Sequence, residues 1–165
     1  MKKKGILWVL LSVLLIVSLS GCKGGGIVGK SAECKSLINK FEKSCNEVDI
    51  QAILDCIDPK ISDPIKAIVA IGGMVTDNVD EYLGDILEQF GSSISEITGG
   101  SGGSAKDIVA SMKLTPKKYM LDKKDGSVKC KAEFEVNGMK TTKMLKISVV
   151  KKNEWYISGI SVIAE

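Results

Sequence analysis

Nine residues in a row, Val128 to Val136, alternate between two chemistries: Val128, Cys130, Ala132, Phe134 and Val136 interleave with Lys129, Lys131, Glu133 and Glu135. A side-chain period of two puts the apolar set on one face of a β-strand and the charged set on the other. Asn137-Gly138 follows at once, and both residues accept the positive φ that a tight hairpin requires. The chain therefore turns back on itself. Leu145, Ile147 and Val149, within a return strand from about Met139 to Lys151, restore the apolar face. Lys152-Asn153 turns the chain again, and Trp155 to Ile163 supplies a last strand. Tyr119-Met120-Leu121, ahead of an Asp125-Gly126 turn, supplies the first. The pattern predicts a meander of about four antiparallel strands with one naked apolar face.

That face needs a cover, and the first half of the chain provides it. Leu37, Ile38, Phe41 and Cys45 recur at spacings of three and four, predicting an amphipathic helix from about Glu33 to Asn46. Asp49 is placed to cap a second, short helix carrying Ile50, Ile53, Leu54 and Ile57, which Asp58-Pro59 ends. Ser62-Asp63-Pro64 reads as a restart. The segment from Ile65 to Val75 is apolar nearly all round and is expected to be buried, with Gly72-Gly73 breaking it. Val75, Val79, Leu83, Ile86, Phe90, Ile94 and Ile97 mark a further amphipathic stretch. A loop expected to be mobile, residues 99–104, separates it from one or two helical turns between Ala105 and Met112. The fold class is α+β, with N-terminal helices packed on a curved, cone-like antiparallel sheet.

The N-terminus has a different character. Lys2, Lys3 and Lys4 precede an apolar run from Ile6 to Leu19, interrupted by Ser12 and Ser18. Such a run suits the core of an export signal and is too short for a comfortable membrane span. Leu19-Ser20-Gly21-Cys22 resembles the lipobox of bacterial lipoproteins. That resemblance implies a diacylglycerol on the Cys22 sulfur and cleavage just before it. Residues 1–21 would then be a signal peptide, residues 22–32 the lipidated cysteine and a flexible tether, and residues 33–165 a single α+β domain. The expected location is the outer face of a bacterial cytoplasmic membrane, reached by covalent lipid.

Charge narrows the partners. The formal net charge of +3 equals the contribution of the three N-terminal lysines, so the chain without residues 1–21 is formally neutral. Nucleic acid is not an expected partner. The chain lacks arginine, so bidentate recognition of phosphate or carboxylate is absent from its repertoire. The two halves nevertheless differ: residues 23–112 carry 8 lysines against 14 acids, and residues 113–165 carry 12 against 6.

Leu37-Ile38-Asn39-Lys40-Phe41, then Asp49, Ile53-Leu54-Asp55 and Asp58-Pro59, resembles the opening helix pair of small exported members of the nuclear transport factor 2-like superfamily. The closing segment, Lys152-Asn153-Glu154-Trp155-Tyr156-Ile157-Ser158-Gly159-Ile160, resembles the tryptophan strand that follows a hairpin in the same group. The resemblance covers about residues 33–58 and 113–163. It implies a sheet wrapped into a cone whose open end in many relatives is a small-molecule pocket. The stretch from Ile61 to Ala110 departs from that pattern and either fills the pocket, lids it or packs outside.

Candidate sites are few. With no histidine in the chain, proton transfer would fall to a carboxyl in an apolar pocket or to a tyrosine. Asp77, Glu81, Asp85 and Glu88 share a helical face, but a solvated face explains them better than a cation site. Tyr119, Phe134, Trp155 and Tyr156 are the candidate pocket residues, with core packing the plainer explanation. The glycines near residue 100 lack the Gly-Lys-Ser/Thr of a phosphate loop. Lys129, Lys131, Lys140, Lys143, Lys146, Lys151 and Lys152 make the outer sheet face basic, suited to anionic headgroups or wall polymers or simply solvated. Cys34, Cys45, Cys56 and Cys130 permit two disulfides, Cys34 with Cys56 and Cys45 with Cys130 in an antiparallel helix pair, or four free thiols. No metal or cofactor is expected. The expected function is non-enzymatic binding of a small ligand or an envelope component. A pocket enzyme of the same fold and a protein-interaction or immunity-type lipoprotein are the alternatives.

Overall fold

The computed structural model describes residues 27–72, 79–90, 96–97 and 104–163. The expected export signal, Cys22, the expected tether as far as residue 26 and the loop over 99–103 lie outside the described residues.

The first helix, α1, runs Ile27–Asn46, six residues earlier than expected. Part of the predicted tether is therefore helical. Tertiary contacts explain the extension: Lys30 Nζ donates to the Asp122 carbonyl, and Glu33 accepts from Lys151 and from the Trp155 indole. The helix is thus tied to two sheet turns at its N-terminal end. It buries Cys34, Leu37, Ile38, Phe41 and Cys45. Helix α2, Ile50–Asp55, is capped as predicted, with Asp49 accepting from the Ala52 N–H.

Helix α3 spans Pro59–Gly72, so the restart falls at Asp58-Pro59 and not at Ser62-Asp63-Pro64. Asp58 accepts from the Lys60 N–H, leaving Pro59 at the first helical position, where a missing N–H costs nothing. Pro64 then sits inside the helix. The expectation that Ile65 onward is buried all round fails as well. Ile65 and Val69 are buried while Ile68 is 60% exposed, because α3 meets the rest of the domain along one side. Helix α4, Val79–Gln89, buries Leu83 and Ile86, and α5, Ala105–Ala110, buries Ile108 and Val109. Ser104, assigned by sequence to the mobile loop, is the N-cap of α5.

Strands β1 (Lys113–Leu121), β2 (Asp125–Val136), β3 (Met139–Lys151) and β4 (Trp155–Ile163) pair in sequence order, all antiparallel. Strand β1 is longer than predicted because Pro116 hides it from an alternation test. The ladder slips between Pro116 and Lys118, as an edge strand allows. The turn before β2 is Asp122-Lys123-Lys124, and Asp125-Gly126 begins the strand instead of making the turn. At the next turn Asn137 and Gly138 both take positive φ, 51° and 78°. That is the hairpin their sequence predicts.

One sheet face packs on the helices. Val128, Cys130, Ala132, Phe134, Leu145, Ile147, Val149, Ile157 and Ile160 meet the buried stripes of α1 and α2. A fully buried isoleucine contributes on the order of 2 kcal/mol, so these two layers supply most of the stability. The core is assembled from residues between Cys34 and Ile160. Ile57 adds a parallel bridge to Ile157, with Asp58 N–H donating to the Ile157 carbonyl and Ile157 N–H to that of Cys56, both 2.8 Å. This contact covers the start of the β4 edge.

Candidate functional site

The long middle section meets the sheet, as one of its three expected placements requires. Leu83, Ile86, Leu87 and Phe90 of α4 and its C-terminal turn, Ile97, and Ile108 of α5 face Phe41, Phe134, Leu145 and Ile160 across an apolar cavity of about 50 Å³. Outside the cavity wall, Glu42 accepts from the Leu114 N–H at 2.6 Å, which anchors the start of β1 to α1. Of the middle section, α4, Ile97 and α5 therefore roof the apolar sheet face and leave this small cavity beneath them. Among the described residues, Cys45 is the one titratable side chain in the wall. Burial pushes its thiol far up, with Cys56 and Glu42 adding to the effect.

Of the four candidate pocket residues, Phe134 alone lines this cavity. Tyr119 packs half-buried against the core from β1. Trp155 is buried at the opposite end, where its Nε1 donates to Glu33 Oε2 at 3.0 Å. Lys151 Nζ bonds the same oxygen at 2.7 Å and lies 5.6 Å from the indole centroid. That hydrogen bond from Lys151 is the main reason the Glu33 carboxyl is held below its usual range. Tyr156 places its hydroxyl 3.1 Å from Asn153 Oδ1 and 3.0 Å from Glu154 Oε1, closing the β3–β4 turn. Trp155 instead forms one wall of a separate polar groove of about 380 Å³ with Lys40, Asp55 and Glu154. What sequence reading missed is the contribution of Leu83, Ile86, Phe90 and Ile108 to the cavity. Their helical stripe is visible in the sequence, but nothing local says which face of the sheet it meets.

Cys34, Cys45, Cys56 and Cys130 are all buried free thiols in the structure. Burial raises Cys34 and Cys56 to about 11 and Cys130 to about 12. None is a nucleophile at neutral pH in this state. Among the described residues no three His, Cys, Asp or Glu side chains converge as a metal site requires. Asp77 lies outside the described residues, and Glu81, Asp85 and Glu88 are exposed on α4. No helix among the described residues is long and apolar enough to cross a membrane.

No family model and no curated protein matches the chain. Among solved structures it is similar to an NTF-2 like protein of unknown function from Shewanella oneidensis, at TM-score 0.48 and 12% identity over 80% of this chain and 97% of that one. It is also similar to TerC co-crystallised with polyporic acid, at TM-score 0.41 and 13% identity over 79% and 89% of the respective chains.

Proposed function

We propose that the chain is a lipid-anchored domain on the outer face of a bacterial membrane that binds a small apolar ligand without chemically altering it. One observation carries the binding part: the cavity of about 50 Å³ between α4, α5 and the sheet is walled by apolar side chains contributed by both halves of the chain. It is a third of the roughly 150 Å³ that accommodates a benzene in an engineered apolar cavity, so the ligand is one that inserts a short apolar end. The non-enzymatic part is supported by the wall, which among the described residues carries one titratable side chain, a Cys45 thiol held protonated by burial. The anchoring part rests on the lysine, apolar and Leu-Ser-Gly-Cys succession at the N-terminus.

A thermal-shift screen of short alcohols, alkanoic acids and aromatic hydrocarbons tests the binding, since a ligand taken by the folded state alone raises the melting temperature. Expected is a concentration-dependent rise that Ala105→Leu abolishes, because Ala105 is 2% exposed in the cavity wall and a larger side chain there occupies the space. No rise with any compound rejects the reading. Metabolic labelling with a fatty-acid probe, lost in Cys22→Ser, tests the anchor separately.

A further inference from the structure

The sheet face turned away from the helices carries a row of like charges. Lys118 on β1 pairs in register with Lys129 on β2, and Lys129 pairs with Lys146 on β3. By the alternation of buried and outward residues all three project from the outer face. Like charges directly opposite one another destabilise a sheet, and no carboxylate lies within ion-pair distance of any of the three among the described residues. The acids sharing this face stand at its ends, Asp125 at one and Glu133 and Glu135 at the other, and Glu133 is occupied by Lys131 at 2.8 Å. Protection of a sheet edge accounts for Lys118 on β1 at most, because Lys129 and Lys146 stand on the two interior strands.

The next row down is made of hydroxyls. Ser127 pairs with Ser148, and Ser148 with Gly159, whose missing side chain leaves a dip beside the Ser148 side chain. Ser127 and Ser148, with Ser158 and Lys146, line a shallow depression of about 410 Å³. Met120, 38% exposed, stands at its margin. Two carboxylates also border it, Asp125 and Asp58, the latter neutralised by Lys152. Cations in a row, hydroxyl donors beside them and an apolar side chain at the rim are the chemistry of a phosphate-bearing lipid surface.

We infer that this outer sheet face docks on an anionic phospholipid membrane, Lys118, Lys129 and Lys146 meeting the headgroup phosphates and the serine-lined depression taking one of them. The inference extends the membrane-facing part of the proposed function. Docking by the face is separable from anchoring by Cys22, because it is measured on a chain that lacks the cysteine.

Residues 27–165 contain every core residue among those described, from Cys34 to Ile160, and serve as the test protein. Co-sedimentation is measured with phosphatidylcholine vesicles and with vesicles containing phosphatidylglycerol, across a salt series. Binding is expected only to the anionic vesicles and is expected to fade as salt rises. Replacing two lysines in Lys129→Gln/Lys146→Gln should weaken it by about thirtyfold, at the usual gain per basic residue near an anionic surface. Lys43→Gln/Lys106→Gln, away from this face, should leave it unchanged. A single Lys129→Glu, which also changes the charge of the face by two, should weaken binding by a similar factor and raise the melting temperature, because it converts the repulsive row into an attractive one. A row that serves only as a solvated surface predicts the stability gain without any change in sedimentation. Equal sedimentation with neutral vesicles, no sedimentation with anionic ones, or indifference to the lysine pair overturns the inference.

Discussion

Val48 adopts φ 53°, a left-handed conformation that a β-branched side chain avoids. It does so because it closes α1: Val48 N–H donates to the Cys45 carbonyl and Asp49 N–H to that of Ser44. This is the paired-bond helix terminus that glycine usually serves. Asp49 immediately caps α2, so one residue ends a helix and its neighbour starts the next. A valine there costs about 1 kcal/mol or more in backbone strain. Val48→Gly is expected to raise stability by about 0.5–1 kcal/mol after the entropy of the unfolded glycine is counted. The urea midpoint reads this directly, and a lower midpoint would mean that side-chain packing of Val48 outweighs the strain. Asn46, next to this turn, reaches across to α5. With its amide oriented to donate, it lies 3.1, 3.2 and 2.8 Å from the carbonyls of Val109, Ala110 and Met112.

Two glycines in the sheet show how differently an element can use the same residue. A Cβ on Gly126 would stand 2.5 Å from the Met120 carbonyl oxygen and 2.8 Å from the Leu121 Cα. Both are backbone atoms of the paired strand, so the clash has no cheap relief. Gly126→Ala should cost about 2 kcal/mol or more and loosen the β1–β2 end. At Gly159 the nearest atom is the Ser148 Cβ at 3.7 Å, an ordinary contact. Gly159→Ala should therefore be neutral to mildly stabilising in the same denaturation experiment. Equal effects at the two sites would contradict this packing of the sheet. Strand β1 adds a second lesson at this scale. Pro116 and the ladder slip beside it are tolerated because β1 is an edge strand, and position in the sheet is not a property of the nine residues themselves.

The molecule as a whole is held by long-range ties between its two halves. The Asp58–Lys152 pair joins the start of α3 to the β3–β4 turn. Burial opposes the charge on Asp58, but the hydrogen bonds from Lys152 and from the Lys60 N–H outweigh it and hold the carboxyl below its ordinary value. A lowered folded-state pKa gives stability that is complete above the unfolded value, near 4, and that is lost as pH falls through the folded one. Asp58→Asn should thus lose about 1–2 kcal/mol at neutral pH, and the gap to the parent protein should close in acid. A gap independent of pH would assign the effect to shape and not to charge. The four core thiols test the packing globally. On residues 27–165, which lack Cys22, iodoacetamide in denaturant without reductant should add four times, at Cys34, Cys45, Cys56 and Cys130. In the native state at pH 8 it should add slowly or not at all, since burial raises all four. Fewer than four adducts in denaturant would instead reveal a bridge.

From the sequence alone came the elements whose cause is local. The period of two over Val128–Val136, the Asn137-Gly138 turn, the stripe from Leu37 to Cys45 and the Asp49 cap each depend on neighbours a few residues away, so the helices, the hairpin and the α+β class were legible. The extension of α1 back to Ile27, the placement of Pro59 rather than Pro64 at the start of α3 and the exposure of Ile68 were not. Each is decided by a partner tens of residues distant or by the lack of one along a helix face. The same holds for the candidate sites. Sequence marks Tyr119, Phe134, Trp155 and Tyr156 as aromatic and Lys118, Lys129 and Lys146 as basic. Only the tertiary structure places Phe134 in a cavity roofed by α4 and α5 and Trp155 at the opposite end. Strand register, likewise, is what sets three lysines side by side. Hydrophobic and turn patterns act over a few residues, whereas a cavity or a charged face exists only once separate segments meet.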